Sequence, residues 1–273
     1  MRITESQLRA LDTLHCVRLS SDESHLRLID SFSNKMNQSL VDYLQNDANT
    51  NDESGKTVCF LIKNENNDIL AYFSLKCGLL FDREGDIEKI ETKKKLSELL
   101  RRQQLLADNR DMAEAISAEL KESIASLRAE LSRHYQIEDN DAVHKRVAHT
   151  YSGIELAHFC VNDRMQEYWR LLGMTDNSRI GATVFWYHIV PLIIKANEFI
   201  GAEYIYLFAA DTSHDAALVN YYIDKMNFKF PVNLYSVLPV YDFGCQLLYQ
   251  PIENITEAQE IFFKNFNPDE NAV

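Results

Sequence analysis

Two apolar runs joined by a short polar turn constrain the fold of this sequence more than any other feature. Residues 57–63 and 69–76 are rich in β-branched, aromatic and other apolar side chains, whereas residues 64–68 between them are Asn, Glu and Asp. This combination is typical of a β-hairpin. Apolar side chains occupy successive positions of both runs, so both faces of the hairpin must be shielded from water. The sequence therefore predicts a sheet with helices packed against its two faces.

The acidic composition limits the partners of the chain. The 273 residues include 28 Lys and Arg and 41 Asp and Glu, which gives a formal net charge of −13. A chain of this charge repels phosphate backbones, so we expect no general nucleic-acid binding. The apolar fraction of 46% is that of an ordinary folded protein.

The cysteines and the apolar runs indicate the compartment. Five cysteines are scattered along the chain without a Cys-x-x-Cys pair, which favours reduced thiols over a disulfide framework. The first residues lack the apolar core of a signal peptide. Every apolar run falls short of the ~20 residues that span a bilayer. We expect a cytoplasmic protein that does not associate with membranes.

The remaining apolar spacing predicts alternating strands and helices. Gly201 is a suitable helix stop, and Pro191 should kink the long helix before it. The expected fold class is α/β or α+β, with a sheet flanked by helices. Further strands are predicted near residues 11–19, 154–161, 203–209, 235–237 and 246–249, and helices near residues 26–44, 182–199 and 216–226.

Residues 84–150 have a different character and are predicted to be an insertion. They are rich in Glu, Lys, Arg, Leu and Ala, and their apolar positions step by three or four, as on one face of a long helix. A polar break at residues 108–111 predicts a long helical hairpin with coiled-coil character. It could pack on the main domain or act as a homodimerisation arm. The main domain would then comprise residues 1–83 and 151–255, followed by a tail at 256–273.

Four segments of the C-terminal half resemble the GNAT family of N-acetyltransferases. Residues 155–161 are similar to the family's fourth strand and residues 177–183 to its pyrophosphate loop. Residues 201–208 resemble the helix stop and strand that follow, and residues 217–228 resemble the helix that carries its tyrosine. The resemblance covers about residues 11–80 and 154–250 and leaves out the insertion. It implies a GNAT-like fold, with a mixed, mostly antiparallel sheet flanked by helices, and acetyl-CoA as co-substrate.

The resemblance also implies which residues bind acetyl-CoA. The fourth strand would bind the pantetheine arm, and the loop would bind the pyrophosphate. A helix opened by small residues suits an anion, because its first backbone N–H groups and the positive end of its dipole are available. The residues implied on the strand are Phe159, Cys160 and Val161, those in the loop are Arg179, Ile180, Gly181, Ala182 and Thr183, and Asn220 lies on the later helix.

The resemblance places the catalytic candidates on the strand and on the later helix. Glu155 would be the general base, directly or through water. Tyr221 and Tyr222 compete to protonate the departing thiolate, and we favour Tyr222. Strict strand alternation puts His158, three residues after Glu155, on the opposite face. A nucleophilic Cys160 lacks an evident Cys–His–Asp set, and the histidine spacings predict no metal site.

The predicted function is transfer of an acetyl group from acetyl-CoA to the amine of a small molecule or protein. A second reading is a catalytically weak or inactive relative that acts through its helical arm. It rests on two residues of the loop. Asp176 occupies the position where the family has Gln or Arg, and Arg179 occupies the position of the family's first glycine. A third reading is a GNAT-type toxin that acetylates aminoacyl-tRNA, which the net charge of −13 disfavours.

Overall fold

The computed structural model describes residues 2–83, 95–100, 120–129, 147–174, 179–211, 213, 215–232, 234–237 and 245–267. Its centre is a six-stranded sheet whose spatial order follows the chain order. All neighbouring strands are antiparallel except β4 and β5, which are parallel. The mixed, mostly antiparallel sheet is therefore confirmed. The strands are β1 (His15–Arg18), β2 (Val58–Lys63), β3 (Ile69–Arg83), β4 (Val147–Val161), β5 (Tyr204–Ala209) and β6 (Gln246–Pro251).

Helices cover both faces of this sheet. They are α1 (Glu5–Asp12), α2 (His25–Leu28), α3 (Gln38–Asn46), α4 (Ala48–Glu53), α5 (Gln166–Leu171), α6 (Ile180–Val184), α7 (Val190–Ile200), α8 (Ala217–Met226) and α9 (Ile255–Lys264). A π-helical turn, Phe185–Ile189, joins α6 to α7, so these three segments form one continuous helix. Residues 95–100 and 120–129 are also helical.

Two hydrophobic cores lie on opposite faces of the sheet. Phe73 belongs to the larger core under α6 to α9, and its neighbour Tyr72 belongs to the smaller core under α2 to α4. Adjacent strand residues point to opposite faces. The β2–β3 hairpin is therefore apolar at successive positions because each face packs under its own helices. This confirms the expectation drawn from its sequence.

Local signals explain where the long helix bends and ends. Pro191 has no backbone N–H to donate, and the π-helical turn ends just before it. Gly201 closes α7 with φ 59°, a left-handed conformation that glycine adopts without strain.

The N-terminus differs from the prediction of a strand at residues 11–19. Only His15–Arg18 is a strand, and Glu5–Asp12 before it form α1. The hydroxyl of Thr4 accepts from the Gln7 backbone, and the Gln7 side chain accepts from Thr4 N at 3.0 Å. This capping box starts the helix.

Elements near the insertion and the C-terminus also differ in extent. β4 begins at Val147, so residues 147–150 belong to the sheet. Arg83, the last residue of β3, pairs with Val147, the first residue of β4. Most of the predicted helical hairpin lies outside the described residues. The tail predicted from residue 256 begins with helix α9, and near residues 235–237 the structure has a single bridge between Tyr235 and Phe81.

Candidate active site

Strands β4 and β5 separate beyond Glu155. Their parallel pairing is limited to residues 153–155 of β4 with residues 204–206 of β5. Both strands continue, β4 to Val161 and β5 to Ala209, and β5 keeps its pairing with β6 throughout. Within the described residues no strand pairs with this edge of β4 beyond Glu155. The backbone there can therefore accept another extended group.

A β-bulge lies at the start of the separation. On β3, Leu75 pairs with Leu156 and Ser74 pairs with His158, so Ala157 is an extra residue in β4. Lys76 and Ser74 are two residues apart on β3 and therefore share a face, and their partners are Glu155 and His158. Glu155 and His158 thus lie on the same face. The prediction of opposite faces was wrong because a bulge interrupts strict alternation.

Glu155 is a buried carboxylate with both oxygens engaged. Its side chain is 7% exposed; Lys76 Nζ lies 3.0 Å from Oε1, and the Tyr206 hydroxyl donates to Oε2 at 3.1 Å. The ring of Tyr206 runs over two facing glycines: a Cβ on Gly78 would lie 1.8 Å from its Oη, and one on Gly153 would lie 2.9 Å from its Cε1. The two glycines therefore create the space through which Tyr206 reaches Glu155. Burial and the Glu155 charge raise the pKa of Tyr206, so its hydroxyl stays a donor.

His158 is held in one orientation beside this carboxylate. Its Nδ1 lies 2.7 Å from Ser74 Oγ, and its ring stacks on Tyr43 of α3 with centroids 3.6 Å apart and planes 12° apart. Burial, with a smaller contribution from the Lys76 charge, lowers the pKa of His158 to about 4. The imidazole is therefore neutral at physiological pH.

The first turn of α6 packs against α8 and β4. Ala182 N donates to the hydroxyl of Tyr221 at 2.8 Å. A Cβ on Gly181 would lie 3.0 Å from that hydroxyl and 3.6 Å from the ring of Phe159. Gly181 is therefore the residue that allows α6, α8 and the open edge of β4 to meet.

Tyr222 points to a different place from its neighbour Tyr221. Its ring packs edge-on against Phe228 with centroids 6.0 Å apart. Burial raises the pKa of Tyr222 well above its ordinary value, with smaller contributions from Tyr221 and Cys160. No hydrogen bond to its hydroxyl is present among the described residues. Tyr222 is therefore a protonated phenol that packs against the larger core.

The other residues implied to bind acetyl-CoA have contacts within the protein. The hydroxyl of Thr183 donates to Arg179 O at 2.8 Å, and the Asn220 side chain donates to Asp215 O at 3.1 Å. Asn34 Nδ2 donates to the carbonyl of Val161 at 3.0 Å. Ile180 is buried in the larger core. None of these contacts tests whether the residues bind acetyl-CoA, so their roles stay predictions.

Arg179 precedes α6 but extends toward the end of α9. Its guanidinium donates to the carbonyl of Phe266 and, at 3.4 Å, to that of Asn265. Asp176, the other unusual residue of the loop, lies outside the described residues.

The Cys160 thiol of this site is buried. All five cysteines are free, and burial raises the pKa of the Cys160 thiol to about 12, so it is not a ready nucleophile. Across the described ranges, His, Cys, Asp and Glu form no group able to hold a metal ion. In the same part of the chain, no helix has the length and apolar content needed to cross a bilayer.

Sequence reasoning missed four residues of this site: Ser74, Lys76, Tyr43 and Tyr206. The first two follow from the register of β3 against β4, which no single-strand pattern contains. The signal for Tyr206 was the two glycines, Gly78 and Gly153, inside strand-like segments, because an isolated strand glycine often marks a close approach.

Comparison with solved structures identifies the architecture. Neither a protein-family model nor a curated protein matches the sequence. The structure of a tyrosine-to-phenylalanine mutant of the AtaT toxin matches 90% of this chain and 94% of that chain, at a TM-score of 0.51 and 10% sequence identity. AtaT is a GNAT acetyltransferase. This chain has the GNAT fold.

Two further AtaT structures match less closely. The mutant bound to acetyl-CoA and the C-terminus of the antitoxin AtaR matches 90% of this chain and 98% of that chain, at a TM-score of 0.48 and 10% identity. AtaT complexed with acetyl-methionyl-tRNAfMet gives the same coverage and TM-score at 11% identity. Residues 155–161 were predicted to resemble the family's fourth strand. In the structure, this segment contains the bulge of β4 and is the part of β4 that separates from β5.

Proposed function

We propose that the protein is an N-acetyltransferase that uses acetyl-CoA. The observation that carries the proposal is the separation of β4 from β5 beyond Glu155, with the first turn of α6 beside the open edge. An open strand edge offers backbone groups to the amides of a pantetheine arm. A helix N-terminus offers N–H groups and a positive dipole end to a pyrophosphate. The two features lie side by side, as one extended ligand requires.

The proposed reaction is direct attack of a neutral amine on the thioester carbonyl. The amine nitrogen forms a bond to the carbonyl carbon, whose oxygen is stabilised by backbone N–H groups of β4. The C–S bond then breaks, and the sulfur takes the hydroxyl proton of Tyr222. This phenol suits the task because its raised pKa keeps it protonated. Glu155 as the base stays a prediction, and its ion pair with Lys76 favours a positioning role.

The acceptor is an amine of a small molecule or a protein. The face that carries Glu155 and His158 packs toward α3, so we propose that the amine reaches it from the open edge of β4. The five free thiols suit a reducing cytoplasm. The likeness to AtaT extends to the fold, and transfer to aminoacyl-tRNA would need a basic face that a net charge of −13 disfavours.

A second candidate function is a non-catalytic binding protein that acts through its helical arm. The observation that favours it is the contact of Arg179 with the carbonyls of Asn265 and Phe266, which turns the guanidinium away from a phosphate site. Isothermal titration separates the two candidates. Micromolar binding of acetyl-CoA supports the enzyme, and absence of binding supports the second candidate.

A pair of matched variants then tests the loop. Gly181→Gln and Gly181→Glu add side chains of equal size, and they differ only in charge. We expect Gly181→Glu to bind acetyl-CoA at least tenfold more weakly than Gly181→Gln, because its carboxylate would lie near the pyrophosphate. Equal affinities in two folded variants would contradict the assignment. Acetyl transfer is measured as CoA release with glycinamide, spermidine, a lysine peptide and an aminoacyl-tRNA as amines.

A further inference from the structure

The bulge in β4 brings a second proton acceptor to the face of Glu155. We propose, on the basis of the acetyltransferase function above, that His158 accepts the proton that the amine loses and that Glu155 is a positioning residue. The inference rests on which nitrogen and oxygen atoms of the two side chains remain available.

Both carboxylate oxygens of Glu155 already have partners. One oxygen is 3.0 Å from the Lys76 ammonium, and the other accepts from the Tyr206 hydroxyl at 3.1 Å. The Glu155 side chain is 7% exposed and that of Lys76 is 40% exposed, so the two side chains form a partly buried ion pair. The arrangement instead holds Lys76 and Tyr206 against Glu155.

His158 has one nitrogen anchored and one available. Ser74 holds Nδ1, and the stacked ring of Tyr43 fixes the plane of the imidazole. Within the described residues no hydrogen bond to Nε2 is present. When Nδ1–H donates to Ser74 Oγ, the Nε2 lone pair is free for an incoming N–H. A general base needs such a fixed orientation and a free lone pair.

The surrounding groups keep this histidine neutral. Lys76 and Ser74 face it from β3, Glu155 and Cys160 lie on its own strand, and Tyr43 faces it from α3. Burial and Lys76 both lower the pKa of His158. A weak base suffices if attack comes first, because the N–H of the cationic tetrahedral intermediate is far more acidic than that of a free ammonium ion.

Every proton that moves in the proposed reaction has a donor and an acceptor. Attack places a positive charge on the nitrogen and a negative charge on the carbonyl oxygen. The nitrogen passes one proton to Nε2, the C–S bond breaks as the carbonyl re-forms, and the sulfur receives the proton of Tyr222. The imidazolium and the phenolate then exchange a proton through solvent, which restores both groups.

Chemical rescue tests the assignment. His158→Ala should lower the acetyl-transfer rate about 10²–10⁴-fold at saturating acetyl-CoA, with unchanged acetyl-CoA affinity. Free imidazole should restore part of that rate by occupying the vacated space. His158→Asn, whose amide can still contact Ser74, should be equally slow, which guards against a folding defect in the alanine variant. Glu155→Gln should lose less activity than either.

Three other results of these assays would overturn the role of His158. If the wild-type protein acetylates none of the four amines, the proposed function fails and this inference fails with it. If the wild type is active and His158→Ala keeps its rate, only the role of His158 is overturned. A rate that falls but that imidazole does not raise would assign His158 a structural role, which also overturns the inference.

Discussion

The hydroxyl of Tyr221 lies 2.8 Å from the backbone nitrogen of Ala182 and accepts its proton. This bond links the middle of α8 to the first turn of α6, where a helix has N–H groups without partners inside the helix. Tyr222, the next residue, makes no such bond among the described residues and packs on Phe228. The two adjacent tyrosines thus have different contacts, and under the proposed function we expect Tyr221 to fix the first turn of α6 and Tyr222 to act in catalysis.

The two tyrosines should differ in their effect on stability. Tyr221→Phe removes the only acceptor described for Ala182 N, and a buried unsatisfied N–H costs about 1–3 kcal/mol. We expect the free energy of unfolding, measured in urea, to fall by about that amount. The matched control is Tyr222→Phe, which should change it by less than about 0.5 kcal/mol. Equal losses in the two variants would contradict the separation of tasks.

Tyr221→Phe and Tyr222→Phe should also differ in kcat, and here Tyr222→Phe should show the larger loss. Tyr222→Phe should lower kcat by about 10²–10⁴-fold, with little change in acetyl-CoA affinity, because it removes the proton donor alone. The raised pKa of Tyr222 keeps the phenol protonated, so the wild type should show no alkaline loss of kcat below pH 10 that depends on this residue. Steady-state rates between pH 6 and 10 check both points. A normal kcat in Tyr222→Phe beside a slow Tyr221→Phe would reverse the assignment.

Acid should destabilise the protein through two histidines. Burial lowers the pKa of His158 and of His188 to about 4, below the ordinary value near 6.5. The unfolded chain therefore binds protons more readily, so stability is full above about pH 6.5 and falls as the pH decreases toward 4. Each histidine can contribute at most about 3 kcal/mol to this loss.

Unfolding free energies at pH 7 and pH 4.5 measure that loss. His158→Gln and His188→Gln should each reduce the difference between the two pH values, and the double variant should reduce it most. The comparison is made within each variant, so a general loss of stability cancels. A difference that stays at the wild-type value in both single variants would show that these side chains do not titrate as expected.

The inserted segment should be removable. Arg83 and Val147 are paired on adjacent antiparallel strands, so a two-residue Asn-Gly turn can replace residues 84–146. We expect the shortened chain to fold and to bind acetyl-CoA as the full chain does. Light scattering of both proteins then tests the proposed dimerisation arm, since a change from dimer to monomer would support it. A molten or insoluble product would show that the insertion belongs to the core of the main domain.

The sequence was most informative where local patterns determine structure. The β2–β3 hairpin, the stop at Gly201 and helix α8 were predicted from composition and spacing alone, and the mixed sheet followed from the resemblance. The N-terminal helix was missed because apolar residues near Leu11 and Leu14 suit a short strand as well as a helix. The capping box of Thr4 and Gln7 decides between them.

The site was less predictable because it depends on pairing between strands. The prediction of Glu155 as the general base came from the resemblance and stays a prediction, and its partners Lys76 and Tyr206 come from two other strands. A single extra residue, Ala157, reversed the expected face of His158. A bulge changes the side-chain phase without a distinctive residue type, so only the register of the sheet shows it.

The facing glycines Gly78 and Gly153 and the ring of Tyr206 have a consequence for how this chain can evolve. A methyl group at Gly78 would overlap the phenol, and a shorter residue in place of Tyr206 would leave an empty space over both glycines and remove the donor to Glu155. No single substitution at these three positions preserves both the packing and the charge network. We therefore expect them to vary together or not at all, so that even very distant descendants of this protein can be recognised by the trio when the rest of their sequence has diverged.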